Sequence, residues 1–463
     1  MNNLLIKGGT VVTSRGNFNG DVLIQGGKIQ ALGEEIKVSD IPIIDASDRL
    51  VLPGIIDAHV QLECAYKETV MTDDFATGTK AAAAGGVTTI IDFADQEQSR
   101  TPLEELEQRM AIADAKVNVD YSLHLGVTNI KGEQLAQLEE AVWGHKIGSF
   151  KLYMAYRNRG RLVDEGQIYA IMREAARLGA VVGVHAENEP LIDYLLENLV
   201  REGKTGVPYF ASSRPDLAEQ MSITIAGQLA EATGATLYIH HLSTAAGLEA
   251  VRDARRRGVP VYAETCPQYL VLTDDVYQQS EGCLYVMNPP LRGAKDREAL
   301  WEGVIKGEIQ VIGTDHCSYT RAQKGRSKDF RNIPAGIPGI ETLLPVMYSE
   351  GVATGKIDLS NLVELLALNP AQIFGLYPQK GDIQVGADGD VVLFDPRVKW
   401  AFTAENLHMN VDYSPFSKLN ITGRVDKTIL RGTVIYEEGR WCGQENCGRF
   451  VPAQVASAGV KLD

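Results

Sequence analysis

The chain has 463 residues, 44% of them hydrophobic and 23% charged, enough to bury a large core and better suited to one barrel-sized domain plus a smaller one than to three average domains. Sixty acidic against 45 basic residues leave a formal charge of -15, which repels phosphate backbones and anionic lipid and makes nucleic acid and membrane surfaces unsuitable partners. Apolar runs such as Val87 to Phe93 are too short to span a bilayer, the N-terminus lacks a leader pattern, and six cysteines without a CxxC pair suit reduced thiols, so a cytoplasmic protein is expected.

From Leu4 to Leu52 short β-rich runs alternate with turns, as in Asp21-Val22-Leu23-Ile24-Gln25-Gly26-Gly27, which predicts a small antiparallel β unit. After Pro53 the texture changes. Eight β-branched runs follow: Ile55 to Val60, Val87 to Phe93, Tyr121 to Gly126, Ser149 to Tyr153, Val181 to His185, Thr236 to His241, Pro260 to Glu264 and Gln310 to Asp315. Helical stretches separate them, among them Asp73 to Ala84, Glu165 to Leu178, Asp216 to Thr233 and Ala245 to Arg257.

Eight such alternations predict an α/β fold with a parallel (β/α)8 TIM-like barrel over 53–375. Turn-rich sequence from Gly381 to Asp390 and the runs Val391 to Phe394 and Val425 to Tyr436 return the chain to β structure. Segments 1–52 and 376–442 together are expected to form a small β-sandwich beside the barrel. The tail, 443–463, is too small and polar to assign.

Catalytic groups of such a barrel sit at the C-terminal ends of its strands. The first run delivers His59 and Gln61 on one face, the fourth carries Lys151, the fifth ends in His185, the sixth in His240-His241 and the eighth in Asp315. Each alone is an ordinary buried polar group, but five strand ends bearing metal-ligand types predict a metal centre. Alternation lets only one of His240 and His241 face the barrel axis, and His316 is expected behind Asp315. His124 reads as core packing, His145 and His408 as packing or surface, and Cys317 as a buried filler rather than a nucleophile.

Lys151 is the odd member, because an ammonium among metal ligands repels cations. Either it binds substrate as an amine or Schiff base, or burial makes it neutral enough to take up carbon dioxide as a carbamate, whose two oxygens can bridge two ions.

Three further stretches complete the pattern: Thr72 through Phe93, with Asp73-Asp74-Phe75 and Gly85-Gly86-Val87-Thr88-Thr89; Phe150-Lys151-Leu152-Tyr153-Met154-Ala155-Tyr156; and Asn410-Val411-Asp412-Tyr413-Ser414-Pro415-Phe416. Over most of its length the chain resembles cyclic amidohydrolases of the D-hydantoinase and dihydropyrimidinase group. The resemblance implies His59 and Asp315 on a buried ion, His185 and His241 on a more exposed one, and carbamylated Lys151 between them, with one or two Zn2+ per chain or Mn2+ in their place. It implies hydrolysis of the C–N bond of a ring amide, Tyr156 steadying the oxyanion and Asp315 carrying the proton to the leaving nitrogen. Tyr156, Asn288 and Ala335 fall at substrate-binding positions, and the group's members are commonly homotetramers.

The departures matter equally. Gln61 stands where the group has a second His, and its amide is a weaker donor for a first-row ion, so a weakened or empty buried site is expected. Asn288, in Met287-Asn288-Pro289-Pro290, replaces a common Ser, and Ala335-Gly336-Ile337-Pro338-Gly339 replaces an Asn-containing loop; both changes, with Glu341-Thr342, lean toward dihydroorotases or allantoinase-like enzymes. Dihydroorotases place an Arg where this chain has Glu63, which disfavours an anionic ring. The expected substrate is a neutral hydantoin, dihydropyrimidine or related ureide. The competing expectation is a non-catalytic relative of the collapsin-response-mediator kind, with Gln61 as its argument.

Overall fold

The computed structural model describes residues 3–66, 69–130 and 132–455. Eight strands form one parallel sheet in chain order: Ile55–Val60, Val87–Asp95, Asp120–Gly126, Ser149–Tyr153, Val181–His185, Thr236–Ile239, Val261–Thr265 and Val311–Ile312. The ring closes between its two ends, where Val60 bridges His316 and the amide of Gln61 donates to the His316 carbonyl at 3.0 Å. Nearly every strand residue is buried, as befits a sheet covered by helices outside and filled by its own side chains within.

All eight expected strands are present, but the sixth and eighth end early. The sixth stops at Ile239 and the eighth spans only Val311–Ile312. His241 and Asp315 have φ of 40° and 52°, in the left-handed region where a strand cannot continue. The helices form where expected, held by caps such as Asp74 on Thr77 and Thr101 on Glu104. Besides several helices of four or five residues, the long helix Glu189–Arg201 lies outside the expected stretches, although Asn188 caps it and Pro190 sits in its first turn.

The terminal segments unite in a second, mostly antiparallel sheet of nine strands. Its seam is Leu50–Pro53, which pairs antiparallel with Val391–Phe394 and parallel with Thr10 and Val11 of the strand Leu4–Thr13. Ile6, Val11, Val22, Ile24, Val51, Val391 and Leu393 pack a separate apolar core there.

The tail lies along the base of the barrel. Gly448 donates to the Val117 carbonyl, the Tyr121 amide to Arg449, Val451 back to Tyr121, and Gln454 to Gly375, at 2.7 to 3.0 Å. A side chain at Gly448 would come within 2.0 Å of the Val119 carbonyl, so the approach requires glycine. These are backbone contacts, which composition does not reveal.

Beside the tail, Asp120 of the third barrel strand meets Asp388 and Asp390 of the second sheet, close enough together to hold a cation. The cation is Lys380, whose buried ammonium lies 2.5 Å from Asp120, 2.5 Å from Asp390 and 3.0 Å from Asp388. Arg431 also pairs with Asp120. Lys380→Met would leave Asp390 without a cation and Asp120 and Asp388 with only their arginine and lysine partners at the edge of the cluster, and a loss of about 3–5 kcal/mol in urea unfolding is expected, as for breaking a buried pair from one side.

Candidate metal centre

The C-terminal rim of the barrel holds a partly open cavity of about 60 Å3. His59, Gln61, Lys151, Tyr156, His185, His241, Asn288, Asp315 and Ala335 all line it. His59, Lys151, His185 and His241 are each no more than 3% exposed, so the polar groups face one another rather than water.

The first strand carries His59 against the end of the eighth. His59 Nε2 lies 3.2 Å from Asp315 Oδ1, and its Nδ1 lies 2.6 Å from Glu264 Oε1. Gln61 donates from its amide nitrogen to the same Asp315 oxygen at 3.1 Å. Gln61 therefore reaches the centre as a hydrogen-bond donor to a carboxylate.

Across the cavity His185 and His241 face each other, Nδ1 to Nε2, at 2.9 Å. His185 Nε2 is engaged by Glu187 at 2.7 Å, which turns Nδ1 inward, and His241 Nδ1 is buried without a hydrogen-bond partner. Burial holds His185 down to about pKa 4 and His241 well below its ordinary value. Two neutral imidazoles facing each other across one shared hydrogen, one of them carrying an unpartnered buried nitrogen, fit a divalent cation that takes the hydrogen's place.

Lys151 sits mid-strand, its amine 5.3 Å from the ring centres of Phe93 and Tyr153. Among the described residues no carboxylate lies within ion-pair distance of it. Burial pulls its pKa down to about 8, against the pull of Glu264 and Asp315, so a neutral amine is accessible near neutral pH.

Both histidines of the sixth strand reach the interior. His240 continues the alternation and stacks near His59, His124 and Tyr238, with ring centres 4.8 to 5.5 Å away. His241, past the strand end, is swung inward by its left-handed backbone, so the expectation that only one could face the axis does not hold. His316 is expected behind Asp315, but its ring nitrogens meet other groups: its Nδ1 accepts from the Gly339 amide at 3.0 Å and its Nε2 lies 3.2 Å from Asp73. His124 is a satisfied core residue, bonded to Ser149 and the Ala58 carbonyl.

Several residues of the site were not foreseen. Glu264 takes His59 and the His241 amide on one oxygen and the Tyr238 hydroxyl on the other. Glu187 pairs with both His185 and Arg214. Asp95 holds Tyr153 and Arg161 at the cavity wall. Glu189 accepts from the Tyr156 and Arg157 amides at 2.7 and 3.1 Å, fixing Tyr156 at φ 73° with its ring 4.6 Å from that of His185. The carboxylates at strand ends, Asp95, Glu187 and Glu264, are the sequence signal that would have found them.

Burial opposes a charged His59, yet Glu264 and Asp315 outweigh it and lift its pKa to about 9. A folded value above the unfolded one gives stability that is complete below pH about 6.5 and is lost as pH rises toward about 9. Lys151 works in the opposite sense above pH about 8, and Lys324, which burial pulls down to about 7, does so above pH about 7, so the clean window is pH 6.5 to 7. Chelator-treated protein is expected to lose stability to urea across that window, and Glu264→Gln to flatten the loss.

The sequence profile described as Amidohydrolase family matches residues 50–435. A D-hydantoinase from Geobacillus stearothermophilus is 40% identical over 452 residues, covering 96% of each chain. A D-phenylhydantoinase from Escherichia coli O1:K1 / APEC is 38% identical over 454 residues, covering 97% of each. The solved structure of a dihydropyrimidinase from Brevibacillus agri is 38% identical, with a TM-score of 0.96 over 98% of this chain and 99% of that one. By profile, by full-length identity and by fold, this chain belongs to the amidohydrolase family.

Proposed function

We propose that this chain is a cyclic amidohydrolase that opens a neutral hydantoin, dihydropyrimidine or related ureide ring. The observation that carries the reading is the convergence of nine residues, drawn from distant parts of the chain, on one buried cavity. The same convergence argues against the non-catalytic alternative, since a retired site has no need to keep Lys151, His185, His241, Asp315 and Tyr156 together.

His185, His241 and carbamylated Lys151 would hold a Zn2+ or Mn2+ ion, with His59, Asp315 and Gln61 offering a second, weaker place. A divalent ion bound there supplies polarisation of the ring carbonyl and acidification of water. The chain's own residues do the rest. Asp315, oriented by His59 and Gln61, accepts a proton from water and returns it to the leaving ring nitrogen. Burial pushes the Tyr156 hydroxyl above its ordinary pKa, keeping it a donor toward the carbonyl oxygen as negative charge develops. Asn288 Oδ1 is buried and unpartnered, an acceptor for a ring N–H. The support for a weak second ion place is the Gln61 contact, which presents a donor where an imidazole lone pair would otherwise face the ion.

A homotetramer in the cytoplasm completes the proposal. The free cysteines suit a reducing compartment, and sedimentation tests the assembly.

Metal analysis of protein purified with excess Zn2+ or Mn2+ is expected to find one tightly held ion per chain, rising toward two in Gln61→His; two in the wild type would sink the weak-site reading. Mass analysis of Lys151 is expected to show one added carbon dioxide. On a panel of hydantoins and dihydropyrimidines followed by amide absorbance, wild type opens rings and His185→Ala does not; equal inertness of wild type, Gln61→His and His185→Ala would end the hydrolase reading. Tyr156→Phe is expected to lower kcat by about 10²–10³-fold, the usual loss of one oxyanion donor.

A further inference from the structure

Beyond the cavity lies a buried lysine with an unusual set of partners. Lys324 ends the four-residue helix Arg321–Lys324 and is fully buried. Among the described residues no carboxylate lies within ion-pair distance of it. Its ammonium instead donates to three backbone carbonyls, those of Val286 at 2.6 Å, Gly336 at 2.7 Å and Pro334 at 2.8 Å. A buried cation is costly unless its hydrogen bonds are satisfied, and three carbonyls satisfy all three N–H groups.

The location of those carbonyls gives the arrangement its meaning. Pro334 and Gly336 flank Ala335, and Val286 lies two residues before Asn288, so one ammonium joins both segments that present side chains to the cavity. The Gly336 amide also donates to the Val286 carbonyl at 3.0 Å, tying the same two segments directly. Gly336 has φ 140°, and a Cβ there would lie 2.3 Å from that of Cys317, so this backbone is pressed against the loop that follows Asp315. The neighbour Gln323 reaches the other way, to the Thr69 hydroxyl at 2.7 Å and the Val70 carbonyl at 2.8 Å.

We propose that Lys324 is a positioning residue for the substrate: its three carbonyl bonds set the gap between Asn288 and Ala335, and so the grip on the ring, without touching the ring. This deepens the hydrolase reading and rests on Asn288 and Ala335 being ring contacts. Loss of the ammonium leaves the buried Pro334 and Gly336 carbonyls without it and the Val286 carbonyl with the Gly336 amide alone, so the two segments shift apart to reach water. His185, His241 and Asp315 stand on barrel strands and their ends, held by Glu187 and by the His59 and Gln61 contacts, and are spared.

The test uses Lys324→Met, which keeps the stem but no donor, and Lys324→Gln, which keeps two donors. Lys324→Met is expected to raise KM for a hydantoin or dihydropyrimidine by at least about tenfold while kcat falls by less than about threefold, with bound metal unchanged. Lys324→Gln is expected to recover part of the KM loss, and it carries the test if the Met variant does not fold. A KM within about twofold of wild type in the folded variants, or a fall in kcat and metal content at constant KM, overturns the proposal. Wild type run alongside separates the two readings: an inert wild type brings down the hydrolase reading and this inference with it, whereas an active wild type with unchanged KM in the variants brings down this inference alone.

Discussion

The site depends on one buried carboxylate. Glu264, at the penultimate position of the seventh strand, takes His59 Nδ1 and the His241 amide on one oxygen and the Tyr238 hydroxyl on the other. A carboxylate fully removed from water must have its lone pairs occupied, and these three partners come from the first and sixth strands and the turn beyond the sixth. The bond to His59 fixes which imidazole nitrogen faces the cavity, and the bond to His241 secures the residue whose backbone leaves the strand. The same negative charge acts on Lys151 and His59 through the low-dielectric interior, so one residue off the cavity wall tunes two on it.

Backbone strain accompanies this arrangement. Glu63, Tyr156, His241 and Asp315 all have positive φ, a conformation that side-chain-bearing residues rarely adopt, and all four lie at or just beyond barrel strand ends. Tyr156 is held there by Glu189, and His241 by Glu264. The turns do what a regular strand cannot. They bring consecutive residues such as His240 and His241 to two levels of the same interior, one lining the barrel below and one facing the cavity above.

Much of this was legible beforehand, and the reasons are local. The β-branched runs are short, buried and separated by helical periodicity, so strand identity survives without knowledge of neighbours: Ser149–Tyr153 and Val181–His185 lie where their side chains predict. A strand-end rule then selects His59, His185 and Asp315, and Lys151 stands out as the lone ammonium within the fourth strand. The helix at Glu189–Arg201 was equally readable from Asn188 and Pro190. The tail was not, because it is held by main-chain bonds to Val117, Tyr121 and Gly375 that any sequence of small residues could make.

By itself the sequence determined the barrel, the pairing of its two terminal segments in a second β unit, and nine of the residues that line the cavity, because strand period, length and residue chemistry are properties of neighbouring positions. Tertiary structure alone decided how those residues are used. That Gln61 donates to Asp315, that Glu264 orients His59, that His240 and His241 both turn inward, and that Lys324 binds carbonyls rather than an acid all depend on partners tens to hundreds of residues away or on a backbone turn. A hydrogen bond is a matter of distance and direction between two groups, and neither is written in the order of one chain segment.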